Sequence, residues 1–367
     1  MEIRLLEPGE YNDAIALSDQ TFRDQDHISM GYAFPQVFSS VLKQAYGAFD
    51  GDRLVSFMGL VPASIRVGYA KLNVFSIGSV CTHPHYRKQG ISSKILERVI
   101  KHIDKAGASL LFVSGDRNLY RRANCFRFGL NYQYEIDSST EMITSFDGFV
   151  RDSLPTDIFQ IEELAHLKTI RYDSNIWEMN QLFQSGGYAS IFKMEQRLLV
   201  AEQNGRIKAF VIVGIPNKKS KETKSILIDW AGDSDAAVAI FKELVRMGTS
   251  QKIEITIPWH DPLVHALHNH SNKQMKSSGT IHIVKPERLI QQIYPYLLEK
   301  NQLLAEKLKV ETDENRNVQI CLNEHTCSFD SEKLVELLFS PQTDSKYSAF
   351  STIFPIPLPH TDGIHYV

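Results

Sequence analysis

Val80-Cys81-Thr82-His83-Pro84-His85-Tyr86-Arg87-Lys88-Gln89-Gly90-Ile91-Ser92-Ser93 is the stretch that decides how this chain of 367 residues is read. The apolar run from Val74 to Val80 reads as a buried strand, and an amphipathic helix follows the turn at once. Ile91, Ile95, Val99 and Ile103 recur every four residues and share one buried stripe, while Lys94, Arg98 and Lys101 face elsewhere. A helix start presents backbone N–H groups without partners, and its dipole favours an anion in front of it. Gly90 lets the backbone approach a ligand closely, and Arg87, Lys88 and Lys94 add positive charge. The expectation is a phosphate site; the rival reading of so short a motif is a solvated basic turn. The pattern is neither G-x-x-x-x-G-K-[ST] nor G-x-G-x-x-G, which disfavours a nucleoside triphosphate or a dinucleotide.

Arg87, Gly90 and Ser92 match R/Q-x-x-G-x-G/A, and the segment resembles the acetyl-CoA signature of the GNAT N-acetyltransferases, with Ser92 as the small residue at the last position. Leu110-Leu111-Phe112-Val113-Ser114 then sits where that family has its fifth strand, after a fourth ending near Cys81. The resemblance implies a gap between these two parallel strands that holds the pantetheine arm against the backbone of Val80, Cys81 and Thr82. It also implies a pyrophosphate resting on the amides of Lys88, Gln89, Gly90, Ile91, Ser92 and Ser93, with Arg87 beside them. Cys81 invites a second reading as an acyl-accepting nucleophile, against the commoner one of a small buried hydrophobe in an apolar strand.

Gly115 to Gly129 resembles the short helix and turn that close the coenzyme site in the family, which makes Tyr120 the implied general acid for the departing thiolate. A phenol of pKa about 10 keeps its proton at neutral pH, and passing it to a thiolate of pKa about 8.5 is uphill by only about 2 kcal/mol. The alternative is a tyrosine packed on the sheet with its hydroxyl satisfied. Asn124-Cys125 stands where relatives commonly carry Gly-Phe or Gly-Tyr.

Composition fits a multi-domain globular protein. A net charge of −3 lacks the basic footprint of a nucleic-acid binder. Cys81, Cys125, Cys321 and Cys327 have no CxxC spacing, so neither a zinc site nor a disulfide framework is expected, and no HExxH occurs among the 13 histidines. Met1 to Leu6 reads as a charged strand rather than a signal peptide, and no apolar run approaches the length of a membrane span. The expected location is the cytoplasm.

The order of elements from residue 1 to about 150 is strand, helices over Pro8 to Phe22 and Pro35 to Gln44, a meander, then helix, strand, helix and strand, which is the GNAT order. A second unit, 151–277, repeats its core. The hairpin Leu198 to Val213 turns at Asn204-Gly205, and a strand to Trp230, a helix from Asp235 and a strand from Ile253 follow. Ala231-Gly232-Asp233-Ser234-Asp235 has no cation where a pyrophosphate would sit, so its acids read as a helix cap and the copy as degenerate. Residues 278–367 read as a small α+β unit whose tail is too apolar to be solvated, with Ile356, Leu358, Ile364, Tyr366 and Val367 stiffened by prolines. The fold class is thus α/β (α+β).

Two GNAT-like units, the second degenerate, and a sterol-carrier-like third unit resemble the Eis-like acetyltransferases. That resemblance implies that the C-terminal carboxylate, here of Val367, reaches the first unit's active site as base or ammonium anchor; an α-carboxylate of pKa about 3.3 to 3.7 is ionised at neutral pH. The implied activity is acetyl transfer from acetyl-CoA, as co-substrate and without a metal, to the primary amine of a cationic small molecule or polyamine; Glu10, Asp24 and Asp26 are candidate acidic contacts for it, against the commoner reading of ordinary solvated carboxylates. Neither nucleic acid nor membrane is an expected partner, and the resemblance allows a homo-oligomer. The competing class is a non-catalytic module that binds CoA or a protein partner.

Overall fold

The computed structural model describes residues 1–248, 251–314, 317–341 and 345–367. Its first sheet runs Glu2–Leu5, Tyr46–Asp50, Arg53–Val67, Ala70–Thr82, Leu110–Val113, Thr280–Ile283 and Phe126–Arg127, with Ile170–Tyr172 paired to Arg53–Val67. Strand residues alternate between its faces. Ala48, Met58 and Ile77 pack with the helix Ile91–Lys105, while Phe49, Phe57 and Cys81 pack with the helix Tyr11–Phe22. The stripe Ile91, Ile95, Val99 and Ile103 is buried as its spacing predicts. The helix expected over Pro35 to Gln44 is not there: that stretch is turns, and the nearby helix is Met30–Ala33. Pro35 ends that nearby helix, because the residue before a proline is driven out of the helical region, and Phe34 has φ −128° and ψ 63°.

The second sheet runs Asn272–Met275, Asn131–Asp137, Lys252–Pro258, Ser225–Gly232, Arg206–Ile215, Glu195–Gln203 and Phe149–Asp152. Its hairpin turns through Asn204 and Gly205 with both φ positive, as a primed two-residue turn requires. A three-stranded sheet, Leu308–Thr312, Val318–Leu322 and His325–Phe329, packs with the helices Pro286–Ala305 and Ser331–Phe339 into one core. That core also takes Ile65, Leu72, Val74, Leu110 and Phe112 from the first sheet, so the third unit is docked by shared apolar burial.

Boundaries at 150 and 277 do not follow the sheets. Asn131–Asp137 belongs to the second sheet, whereas Ile170–Tyr172 and Thr280–Ile283 belong to the first. Each sheet completes itself with strands distant in sequence, because an unpaired row of N–H and C=O groups is satisfied by whichever strand reaches it. Among the described residues, no helix is long and apolar enough to cross a membrane, and no group of three or more His, Cys, Asp or Glu could hold a metal ion.

Candidate active site

The site begins where two parallel strands part. Ala70–Thr82 and Leu110–Val113 pair from Val74↔Leu110 to Ile77↔Val113, and there the pairing stops. On its other side Ala70–Thr82 runs Gly78↔Gly59 and then Cys81↔Phe57, leaving Ser79 and Val80 opposite Met58 alone. This bulge puts Ser79 at φ 53°, a left-handed conformation rare for a serine. A bulge bends its strand, and the segment from Gly78 to Thr82 is left with a free backbone edge facing the gap.

Two adjoining clefts fill that gap. One, of about 600 Å³, is lined by Val80, Cys81, Thr82, Arg87, Lys88, Gly90, Ile91, Ser92, Ser93 and Tyr120. The other, of about 450 Å³, is lined by Gly78, Ser79, Val80, Ser114 to Arg117, Tyr120, Tyr366 and Val367. Both include Phe22, Val80, Arg117 and Tyr120, so Tyr120 stands at their junction.

The turn at the first cleft is braced from within. Arg87 Nε donates to the Thr82 carbonyl at 3.0 Å, and Thr82 Oγ1 lies 2.7 Å from Ser56 Oγ and 2.9 Å from Ser92 Oγ. Gly90, at φ 74°, has open space in front of its Cα, and the helix it starts has no side-chain cap. An anion therefore meets free backbone amides and exposed cations here, and the residues present fit a phosphate group. Ile91 offers the cleft only its backbone, since its side chain is in the core. Gln89 is exposed, and its side chain turns away from the cleft to donate to the His85 carbonyl at 3.3 Å, which leaves only its backbone amide for an anion.

Cys81 is 4% exposed, and burial pushes its thiol up to about 11. It therefore carries almost no thiolate at neutral pH, the opposite of what a nucleophile needs. Burial likewise pushes the Tyr120 hydroxyl up to about 12, with Arg117 opposing the rise. Tyr120 is thus firmly protonated.

The tail reaches this site through the second sheet. Ser225–Gly232 and Lys252–Pro258 are parallel only at Ser225↔Ile253 and Ile226↔Glu254 before they too part. Their gap holds a cavity of about 100 Å³ walled by Asp229, Trp230, Asp261 and the tail residues His360, Gly363, Ile364 and His365. Asp233 caps the following helix, accepting from the Ala236 amide at 2.9 Å, as its position predicts. The tail is fastened where the His260 ring nitrogen donates to the Leu358 carbonyl at 3.0 Å, and where the His365 ring stacks on Tyr172 at 4.0 Å and 19°. Tyr366 then packs near Phe34 and Tyr188, and Val367 ends against Gly78.

Glu10, Asp24 and Asp26 do not line either cleft. Glu10 is held by Arg4 at 2.7 Å, and Asp24 by Lys193 at 2.7 Å. Asp116 does line the second cleft, but Arg121 at 2.6 Å and Arg127 at 2.9 Å hold its carboxyl down at about 2. Gly78, Ser79 and the apolar wall of Phe22, Met30 and Phe34 were missed by sequence reasoning. A bulge leaves no residue signature, and those apolar side chains read as core.

Residues 2–127 match the family model described as an acetyltransferase (GNAT) domain. The N-terminal unit thus resembles a GNAT acetyltransferase domain. Among solved structures, a GCN5-related N-acetyltransferase from Anabaena variabilis is 11% identical with a TM-score of 0.66, covering 98% of each chain. Eis1 from Mycobacterium abscessus is 13% identical with a TM-score of 0.63, over 98% of this chain and 100% of that one. A probable N-acyltransferase from Enterococcus faecalis is 13% identical with a TM-score of 0.64, over 90% of this chain and 83% of that one. At these identities the likeness is one of fold, and it extends over all three sheets. No curated protein matches the sequence.

Proposed function

We propose that the protein transfers an acetyl group from acetyl-CoA to a primary amine by direct attack, with the second sheet a degenerate copy of the first and the third unit sterol-carrier-like. The observation that carries this is the meeting of a phosphate cradle, a protonated Tyr120 and the chain's own terminal carboxylate around one strand gap. When bound, acetyl-CoA supplies an activated thioester carbonyl. The amides from Lys88 to Ser93, with Arg87 and Lys88, hold the pyrophosphate, and the free edge from Val80 to Thr82 pairs with the extended arm. Amides of that edge donate to the carbonyl oxygen as it gains charge.

The Val367 carboxylate anchors the acceptor ammonium and takes its proton, directly or through water, and Tyr120 delivers a proton to the departing sulfur. Tyr120 stands near pKa 12 with the lowering by Arg117 already counted, so delivery to a free thiolate of pKa about 8.5 is uphill by about 5 kcal/mol. Since Asp116 is already paired, Val367 supplies the uncommitted negative charge of the acceptor cleft, beside the apolar Phe22, Met30 and Phe34. This favours an amine on an apolar body over a polycation. The test is acetyl-CoA-dependent thiol release across an amine panel: aryl-alkyl monoamines should exceed spermine and aminoglycosides in kcat/KM. No thiol release with any amine would point to the non-catalytic CoA-binding module instead.

A further inference from the structure

The cavity between the parting strands Ser225–Gly232 and Lys252–Pro258 has no part in the chemistry above. The tail separates the two regions: Gly363, Ile364 and His365 line this cavity, while Tyr366 and Val367 line the acceptor cleft. One wall is charged. The Lys168 ammonium donates to Asp229 Oδ1 at 3.0 Å and to the Trp230 carbonyl at 2.8 Å, and Asp261 accepts from Trp230 Nε1 at 3.1 Å and from the Leu263 amide at 2.9 Å. Arg171, the other cation of the wall, is turned to the Lys168 carbonyl and to Asp173. Three groups keep spare capacity: among the described residues, Asp229 Oδ2, the His360 ring and the Tyr172 hydroxyl make no hydrogen bond. His360 and Tyr172 lie deep in the protein yet keep accessible surface, which therefore belongs to the cavity they line.

Charge selects the ligand. The carboxylates of Asp229, Asp261 and Asp362 stand around the His360 ring against one ammonium, that of Lys168, which Asp229 already engages. All three spare groups can accept a hydrogen bond, and a buried carboxylate oxygen is stabilised most by a donor that carries positive charge. An anion would instead meet Asp229 and Asp261. Size limits the ligand further: a cavity of about 150 Å³ takes benzene, so one of about 100 Å³ suits roughly four non-hydrogen atoms. We propose that this cavity binds a small alkylammonium ion, which braces the tail against the second sheet. The site lies outside both clefts of the first sheet, so the inference does not rest on acetyl transfer.

The test is calorimetric binding of propylammonium to the full chain without acetyl-CoA, beside neutral propan-1-ol and anionic propionate. Propylammonium should bind about tenfold or more tightly than propan-1-ol, and propionate should not bind. His360→Leu and Tyr172→Phe each remove a polar group that has no protein partner, and the phenylalanine keeps the ring stack on His365. Each should weaken propylammonium by about tenfold, the scale of one lost hydrogen bond to a charged group. The bound ion should also slow the release of Val367 by carboxypeptidase in the wild-type chain, and His360→Leu should remove that protection. No binding of propylammonium, equal affinity for propan-1-ol, or affinity and protection unaltered in both variants would overturn the assignment, the last by placing the amine at Val367 instead. Thiol release from acetyl-CoA with an aryl-alkyl amine, found alongside any of these results, keeps the catalytic reading and removes only this one.

Discussion

The carboxyl carbon of Val367 lies 2.7 Å from where a Cβ on Gly78 would stand, and the Val367 Cβ lies 3.1 Å from the same point. The chain thus ends flush against the strand residue just beyond the last parallel pair. Gly78→Ala should push the terminus out of position, and kcat should fall by about tenfold or more while the affinity for CoA stays within twofold. Steady-state kinetics with calorimetry checks this. An alanine variant with wild-type kcat would show that the carboxylate's position is irrelevant to turnover.

Tyr120→Phe should retain acetyl-CoA binding and lose about a hundredfold in kcat if proton delivery limits the rate. Because burial holds the hydroxyl near 12, the wild-type rate should not decline between pH 8 and 10 through loss of this proton. A wild-type rate in the phenylalanine variant across that range would remove Tyr120 from the mechanism.

Gly90→Asp should abolish CoA binding without unfolding the protein. The substitution puts a carboxylate into the open space before the helix start, and at φ 74° it costs on the order of 1 kcal/mol of backbone strain, which a folded domain tolerates. Calorimetry and a melting curve together decide it: undiminished affinity means that the phosphate lies elsewhere.

The tail should loosen in acid. Burial pushes His365 and His260 down to about 4 and also lowers His360, with Asp229, Asp261 and Asp362 opposing the drop and Lys168 adding to it. A depressed histidine pKa contributes stability that is complete above the unfolded value of about 6.5 and is lost as pH falls towards 4. Carboxypeptidase should therefore release Val367 faster at pH 5 than at pH 7.5, and His365→Phe, which keeps the ring stack on Tyr172, should weaken that dependence. Equal release at both pH values would mean that these histidines do not hold the tail.

Much of this was legible in sequence because local pattern carried it. The four-residue spacing from Ile91 to Ile103 fixed the helix face, Asn204-Gly205 fixed a hairpin, and the prolines with Ile356 and Leu358 marked a buried tail. The exchanged strands were not legible, since nothing in Thr280–Ile283 encodes that its partner is Leu110–Val113 rather than a neighbour in the chain. The acidic contacts failed for a related reason. A carboxylate's role depends on whether a cation from elsewhere, such as Lys193 for Asp24, has already claimed it. Gly78 was overlooked because its significance lies in a residue 289 positions away.

The proposed role of Val367 puts the chain's own terminus to work in the first domain's cleft. The most direct measurement compares turnover of one amine by three forms: the chain ending at Val367, the chain lacking Tyr366 and Val367, and the chain extended beyond Val367 by a cleavable tag. Truncation and extension should each reduce kcat sharply while CoA affinity and melting temperature hold, and cleavage of the tag back to Val367 should restore the rate. Equal turnover in all forms would contradict the claim.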